Sequence, residues 1–429
     1  MESEVGLELF YTDTPGIGGK LKKYPEDFRV EERIDLFEET EGDYTIAKVW
    51  SRNWETNRLV RKFSQSLNIS RDDIAFAGTK DKRAITVQWM SFKTGPENLG
   101  SLSIKDVEIL DKFTSHRSLY IGAHTGNNFE IVVRDFDISD DEVRERTDEI
   151  GSKIKEHGGF PNWFGVQRFG TIRPITHKLG KKIINGEFEE AVKMYIANPF
   201  EGEDEECYNA RDRLEKDWDY ESALEYYPNM LTFERGIINH LSNNSGDYVG
   251  ALKTLPHNLL MMFVHAYQSY LFNKMVCRRI DLGYPVDDVL VGDILLPADK
   301  NGLPNKNTQV EVTERNLEKA SSMVKQCKAY VSATLFGCQS SFSGGEMGEI
   351  EREIIEEEGV KKDDFIIPKI SSISSKGTRR EIFAPVKNLE WSLESGGFNI
   401  SFGLNKGSYA TTLLREFMKL PDDQVARYS

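Results

Sequence analysis

Asp81 is a lone carboxylate inside the cationic run Thr79-Lys80-Asp81-Lys82-Arg83, directly after Gly78. Flanking cations favour its anionic form, and an exposed anionic Asp is a usable nucleophile. The cations Lys80, Lys82 and Arg83 suit the oxygens of a phosphate backbone. A surface turn with an incidental ion pair gives the same local sequence, and on those residues alone it is the preferred reading.

A carboxylate acts only where a scaffold presents it. To its left runs Ile74-Ala75-Phe76-Ala77; to its right Ile85, Val87 and Trp89 alternate with Thr86, Gln88 and Met90. Asp81 is therefore expected on a loop between two strands. The first 135 residues read as strand-rich, interrupted by a helix over 57–67 with Thr56 as N-cap and Leu59, Val60, Phe63 and Leu67 on one face. Ser139 opens a second helix with Glu142 at the capping-box position, and Gly158-Gly159 ends it.

From about residue 170 the pattern is mainly helical. Pro256 starts a long helix carrying Leu259, Leu260, Phe263, Tyr267, Leu271 and Met275, ending before Gly283, and another runs over 313–327. Strand patterning returns at 381–386 and 397–404, and Ser408 caps a final helix reaching Phe417. This order predicts an α+β protein whose two ends, 1–160 and 381–429, close one domain around an inserted second, 161–380.

Composition sets the outer bounds. A chain of 429 residues exceeds what one core usually supports, and 39% hydrophobic content is that of a globular protein. No apolar stretch reaches membrane-spanning length, and the acidic start Met1-Glu2-Ser3-Glu4 lacks the features of a secretory signal, so the cytoplasm is expected. Cys207, Cys277, Cys327 and Cys338 form no CxxC pair, and the seven histidines show no HExxH spacing, so neither disulfides nor a metal is expected. Gly16-Ile17-Gly18-Gly19-Lys20 is no phosphate loop, because Leu21 stands where Ser or Thr is required.

A net charge of −15 argues against a polyanionic partner unless one face is basic. The acid is concentrated at 201–206 and 349–364, whereas cations cluster at 20–23, 80–83, 376–380 and at Arg168 with Arg173.

Three further segments join the Asp81 loop. They are Lys22-Lys23-Tyr24-Pro25-Glu26-Asp27-Phe28-Arg29-Val30-Glu31-Glu32, Gly126-Asn127-Asn128-Phe129-Glu130 and Asn162-Trp163-Phe164-Gly165-Val166-Gln167-Arg168-Phe169-Gly170. With Gly78-Thr79-Lys80-Asp81-Lys82 and the tail from Gly407 to Glu416, they resemble, in order, the TruD family of tRNA pseudouridine synthases. Trp163 stands where that family often has Tyr, and 200–255 looks individual.

The resemblance implies a pseudouridine-synthase catalytic domain, with a mixed, mostly antiparallel sheet and helices, plus an inserted, largely helical family-specific domain. It implies isomerisation of uridine 13 in the D arm of tRNA, with base flipping, a catalytic Asp, no cofactor and no metal; no obligate protein partner is expected. It assigns the carboxylate to Asp81, acting at C6 of the base or at C1′ of the sugar, and a basic partner to Lys22, which otherwise reads as a solvated lysine. It assigns base stacking to Phe129 and a base or ribose contact to Asn127. Without it, Phe129 reads as core and Asn127 as a turn residue. Phe28 is either a second stacking ring or the first inward residue of a strand. The Asn162–Gly170 segment is expected mainly to position the two domains. The alternatives are the same reaction at another RNA site, or a catalytically silent tRNA-binding or RNA-folding protein.

Overall fold

The computed structural model describes residues 2–35, 41–100, 102–394, 396–422 and 424–425. Met1 and residues 426–429, which the expected domain ranges include, lie outside them. In chain order, β1 (Phe28–Ile34), β2 (Tyr44–Arg52), β3 (Ile74–Phe76), β4 (Ile85–Phe92), β5 (Val107–Ser115), β6 (His124–Val133) and β7 (Gly159–Pro161) come first. A long, mostly helical stretch then carries β8 (Ile294–Pro297), β9 (Val310–Glu311), β10 (Ala329–Leu335) and β11 (Thr378–Glu381). The chain returns through β12 (Phe383–Glu394) and β13 (Gly397–Asn405).

Among the described residues these strands form two sheets. A nine-stranded sheet runs β5-β2-β4-β1-β6-β13-β12-β7 with β3 also on β4, and a four-stranded sheet runs β11-β10-β8-β9. The large sheet is mixed: β1 and β4 are parallel, while β1–β6, β2–β4, β2–β5 and β6–β13 are antiparallel. Its strands come from both ends of the chain, and the fold is α+β, as expected.

Alternation along the central strands fixes the buried face. Phe28 and Val30 of β1, Phe129, Ile131 and Val133 of β6, and Phe398, Ile400, Phe402 and Leu404 of β13 are all buried in one core. That core continues into Leu295 and Val331 of the smaller sheet and into the helix His257–Asp281. Asn273 of that helix is buried; its Oδ1 accepts from Phe164 N at 2.8 Å, and its Nδ2 donates to Phe164 O at 3.0 Å and Val5 O at 3.1 Å. Trp163, Phe164 and Phe169 are buried around this junction, with Phe164 edge-on to Phe272 at 5.6 Å.

Several helix ends differ from expectation. Helix Asp140–His157 has the Ser139–Glu142 capping box and ends at Gly158 in the left-handed region, φ 75°. Helix Thr56–Leu67, however, is capped by Glu55, whose carboxylate accepts from both Asn57 N and Arg58 N. A carboxylate receiving two amides at a helix start outcompetes a hydroxyl one position later. The final helix, Ala410–Met418, follows Tyr409 with no side-chain cap, so Ser408 is not its cap. The helix expected over 313–327 is shorter, Leu317–Lys325.

His177 is buried between Phe169 and Tyr270, at ring distances of 5.3 and 5.1 Å. Burial, aided by Lys178, pushes its imidazole down to about 4. The folded value lies below the unfolded one, so this contribution to stability is present above about pH 6.5 and is lost as pH falls towards 4. Replacing His177 with Phe should flatten the fall in melting temperature across that window; an unchanged acid profile would remove His177 from the account.

Candidate active site

The loop carrying Asp81 lies where the sheet divides. β1 pairs with β4 only over Arg29–Glu31 against Ile85–Val87, and β3 takes β4 only over Phe92 to Met90. Between these pairings Trp89 N donates to the buried carboxylate of Glu32, at 3.3 Å from Oε1. The other oxygen, Oε2, accepts from Lys80 Nζ at 2.5 Å. Glu32 thus stands in for a missing strand partner and anchors the residue before Asp81.

Two more contacts fix the loop. Thr56, free of any capping duty, accepts from Lys80 N through Oγ1 at 2.8 Å. Ala77 O accepts from Gly122 N at 2.7 Å and lies 3.1 Å from His124 Nδ1. A carbonyl only accepts, so Nδ1 carries the proton there. Burial holds this imidazole below its usual range; Glu32 opposes that shift and Lys80 adds to it. A Cβ at Gly78 would sit 3.1 Å from His124 Cε1, closer than an ordinary contact.

Asp81 itself faces out, with a side chain 57% exposed. Lys22, 9% exposed, lies beneath it and donates from Nζ to Oδ2 at 3.0 Å. Lys22 adopts φ 53°, in the left-handed region that non-glycine residues enter at a cost. This backbone turn accompanies the placement of its ammonium both on Asp81 and over the Phe28 ring, 4.6 Å from the centroid. The pair joins residues 59 positions apart.

Below the ammonium runs a row of rings. Phe28 meets Phe129 edge-on at 6.3 Å, and Phe129 stacks on Phe402 at 5.2 Å. Phe28 is 2% and Phe129 8% exposed, so both rings form the floor under the ion pair. The Phe129 ring, expected to stack on the target base, lies here between Phe28 and Phe402. Sheet register is the reason, since Phe129 lies opposite Val30 on one side and Phe402 on the other. Asn127 shares that face, opposite Glu32 and Leu404, and its Oδ1 is buried without a hydrogen-bond partner.

The cations divide. Lys82 and Arg83 have exposed side chains, and Arg83 donates to Lys23 O at 2.7 Å. Lys80 is turned inward to Glu32 and does not offer its ammonium to a phosphate. Three arginines from the other expected basic clusters are likewise turned inward. Arg173 pairs with Glu203 at 2.8 Å, Arg379 with Glu351 at 3.0 Å, and Arg380 donates to Asn162 Oδ1 at 2.9 Å and Gly407 O at 2.7 Å. Among the described residues no group of three or more His, Cys, Asp or Glu side chains is placed to hold a metal ion.

Sequence reasoning missed Glu32, Thr56 and His124 as supports of the loop. Glu32 was visible inside the first motif, as a charge at an inward strand position. Glu32→Gln should keep the bond to Trp89 N but remove the counter-charge of buried Lys80. We expect a lower melting temperature and a slower single-turnover rate, with Glu32→Asp intermediate. A variant matching wild type in both would show that the loop needs no such anchor.

The family model described as tRNA pseudouridine synthase D (TruD) matches residues 4–417 of this chain. A Methanococcoides burtonii protein named "Probable tRNA pseudouridine synthase D" is 43% identical over 427 residues, covering 98% of this chain and 97% of that protein. One of the same name from Thermoplasma volcanium is 42% identical over 405 residues, covering 94% and 95%. A crystal structure from Methanosarcina mazei, assigned to tRNA pseudouridine synthase D, superposes with a TM-score of 0.87 at 40% identity, covering 98% of each chain.

Proposed function

The chain belongs to the tRNA pseudouridine synthase D family of isomerases, and from that premise we propose that it converts uridine 13, in the D arm of tRNA, to pseudouridine with Asp81 as its catalytic carboxylate. The Lys22–Asp81 pair carries this reading: a solvent-facing carboxylate over a nearly buried ammonium, at 3.0 Å. The reaction breaks the N1–C1′ bond and forms C5–C1′; a proton leaves C5 and N1 gains one. Atoms balance without a redox partner, so an anionic group and control of the detached base suffice.

Lys22 orients the carboxylate through its hydrogen bond, and the Phe28–Phe129–Phe402 row keeps the ammonium's underside dry. The unpartnered Oδ1 of Asn127 supports a place for a uracil N–H or a ribose hydroxyl, since an unfilled buried acceptor costs about 1–3 kcal/mol. The target base reaches the carboxylate by leaving its stack, because neither C6 nor C1′ is accessible to it within one. Lys82 and Arg83 are the cations by which this loop meets RNA backbone. Residues 1–160 with 381–429 form the catalytic domain and 161–380 the inserted one, in keeping with the sheet membership of their strands. The cytoplasm, where tRNA is processed, is the compartment this reading requires; no described helix is long and apolar enough to cross a membrane.

Pseudouridine mapping of tRNA from cells with and without the gene tests the reading. Loss of the modification at position 13 alone is expected. Loss at a different position would move the target, and an unchanged map would leave a silent RNA-binding protein. Affinity for tRNA should fall as salt rises, through counterion release at Lys82 and Arg83.

A further inference from the structure

The loop over 116–123, between β5 and β6, is pinned on three sides and bare at its tip. On the catalytic side Gly122 N bonds Ala77 O at 2.7 Å, four residues before Asp81. From the C-terminal side Lys406 Nζ donates to Gly122 O at 2.9 Å. On the sheet side Leu119 is buried against Ile46 and Trp89, and its N–H donates to Ser91 Oγ at 3.1 Å. A turn closes the tip, with Ala123 N on Tyr120 O at 3.1 Å and Gly122 at φ 89°. On that turn Tyr120 is 70% and Ile121 69% exposed.

Single exposed apolar residues need no explanation. Two adjacent large ones, on a loop bonded to the carbonyl that starts the Asp81 loop, are different. We infer that Tyr120 and Ile121 form a wedge that enters the base stack beside the target uridine and holds it open while the nucleotide is turned out towards Asp81. The inference rests on the RNA-modifying reading above. Four residues of extended chain from Ala77 to Asp81, the hydrogen bond to Gly122 and two residues to Tyr120 together span at most about 24 Å, a few nucleotide spacings, so the tip can meet neighbours of the base that Asp81 acts on. Apolar and aromatic side chains inserted between bases replace the stacking lost when a nucleotide leaves, and an aromatic face does so for any base. The anchors matter as much as the tip, because a wedge transmits force only from a fixed mount.

The test uses the full chain and an unmodified tRNA transcript, with a second transcript mismatched at the target uridine so that it is already unstacked. Wild type must first form pseudouridine in the paired transcript; if it does not, the proposed function fails, and the wedge with it. Given that activity, Tyr120→Ala with Ile121→Ala should leave the melting temperature unchanged, because both side chains are exposed. It should slow single turnover about tenfold to a hundredfold on the paired transcript, and far less on the mismatched one. Tyr120→Phe alone should keep close to the wild-type rate. Equal slowing on both transcripts, or no slowing on either, would overturn the wedge while leaving the activity intact.

Discussion

Asp81→Asn is expected to abolish pseudouridine formation, by roughly a thousandfold or more in single turnover, with little change in affinity for tRNA. The two side chains are nearly isosteric, and Asp81 is exposed enough that no core contact is lost. Lys22 can still donate to the amide oxygen of Asn, so the loop keeps its position through Lys80, Thr56 and Ala77. Only the charge disappears. Single-turnover assays at saturating enzyme, with tRNA binding measured in parallel, give both numbers. Appreciable product from a clean Asp81→Asn sample would take the chemistry away from this residue.

Phe129→Ala should produce a large stability loss, about 3–5 kcal/mol. Its ring is 8% exposed and touches Phe28 on one side and Phe402 on the other. Removing it opens a cavity beneath the segment that holds Lys22 over Phe28. Activity should therefore fall along with stability, since the ammonium loses its floor. Phe129→Leu should recover part of the melting temperature and less of the rate, because much of the volume is restored but not the flat faces. Denaturant titration together with turnover at low temperature checks both. An unchanged melting temperature with turnover lost would return Phe129 to a base-stacking role.

The Asp81 loop, the capping box at Ser139 and the long helix after Pro256 were legible because their signals are local. A glycine turn between two apolar runs, or a Ser three residues before a Glu, is read from adjacent residues. Glu32 and Lys80 were not legible as a pair, because only the divergence of β1 from β4 brings them together. The same holds for Arg173, Arg379 and Arg380, which read as a basic surface and are folded inward onto Glu203, Glu351 and Asn162. Composition counts charges; it does not say which of them meet. Phe129 shows the limit from the other direction. Its strand and inward orientation follow from alternation, but the ring pressed against it comes from Phe402, hundreds of residues away.

That last pairing has a consequence for how the chain is made. β6 ends at Val133 and its neighbour β13 begins at Gly397, with the whole small sheet and its helices between them. At a synthesis rate of roughly 5–20 residues per second, β6 waits about 13–50 s on the ribosome for its partner. During that interval β1, β2, β4 and β5 can assemble on one side while the other edge of β6 stays open, with Asn127 and Phe129 uncovered. An open edge beside a hydrophobic face is an invitation to pair with another nascent chain. The late strand is therefore both the final piece of the sheet and the step most exposed to chaperone dependence. A circular permutant opened within 161–380 makes β13 before β6, so β6 no longer waits for its partner, and the soluble yield should rise.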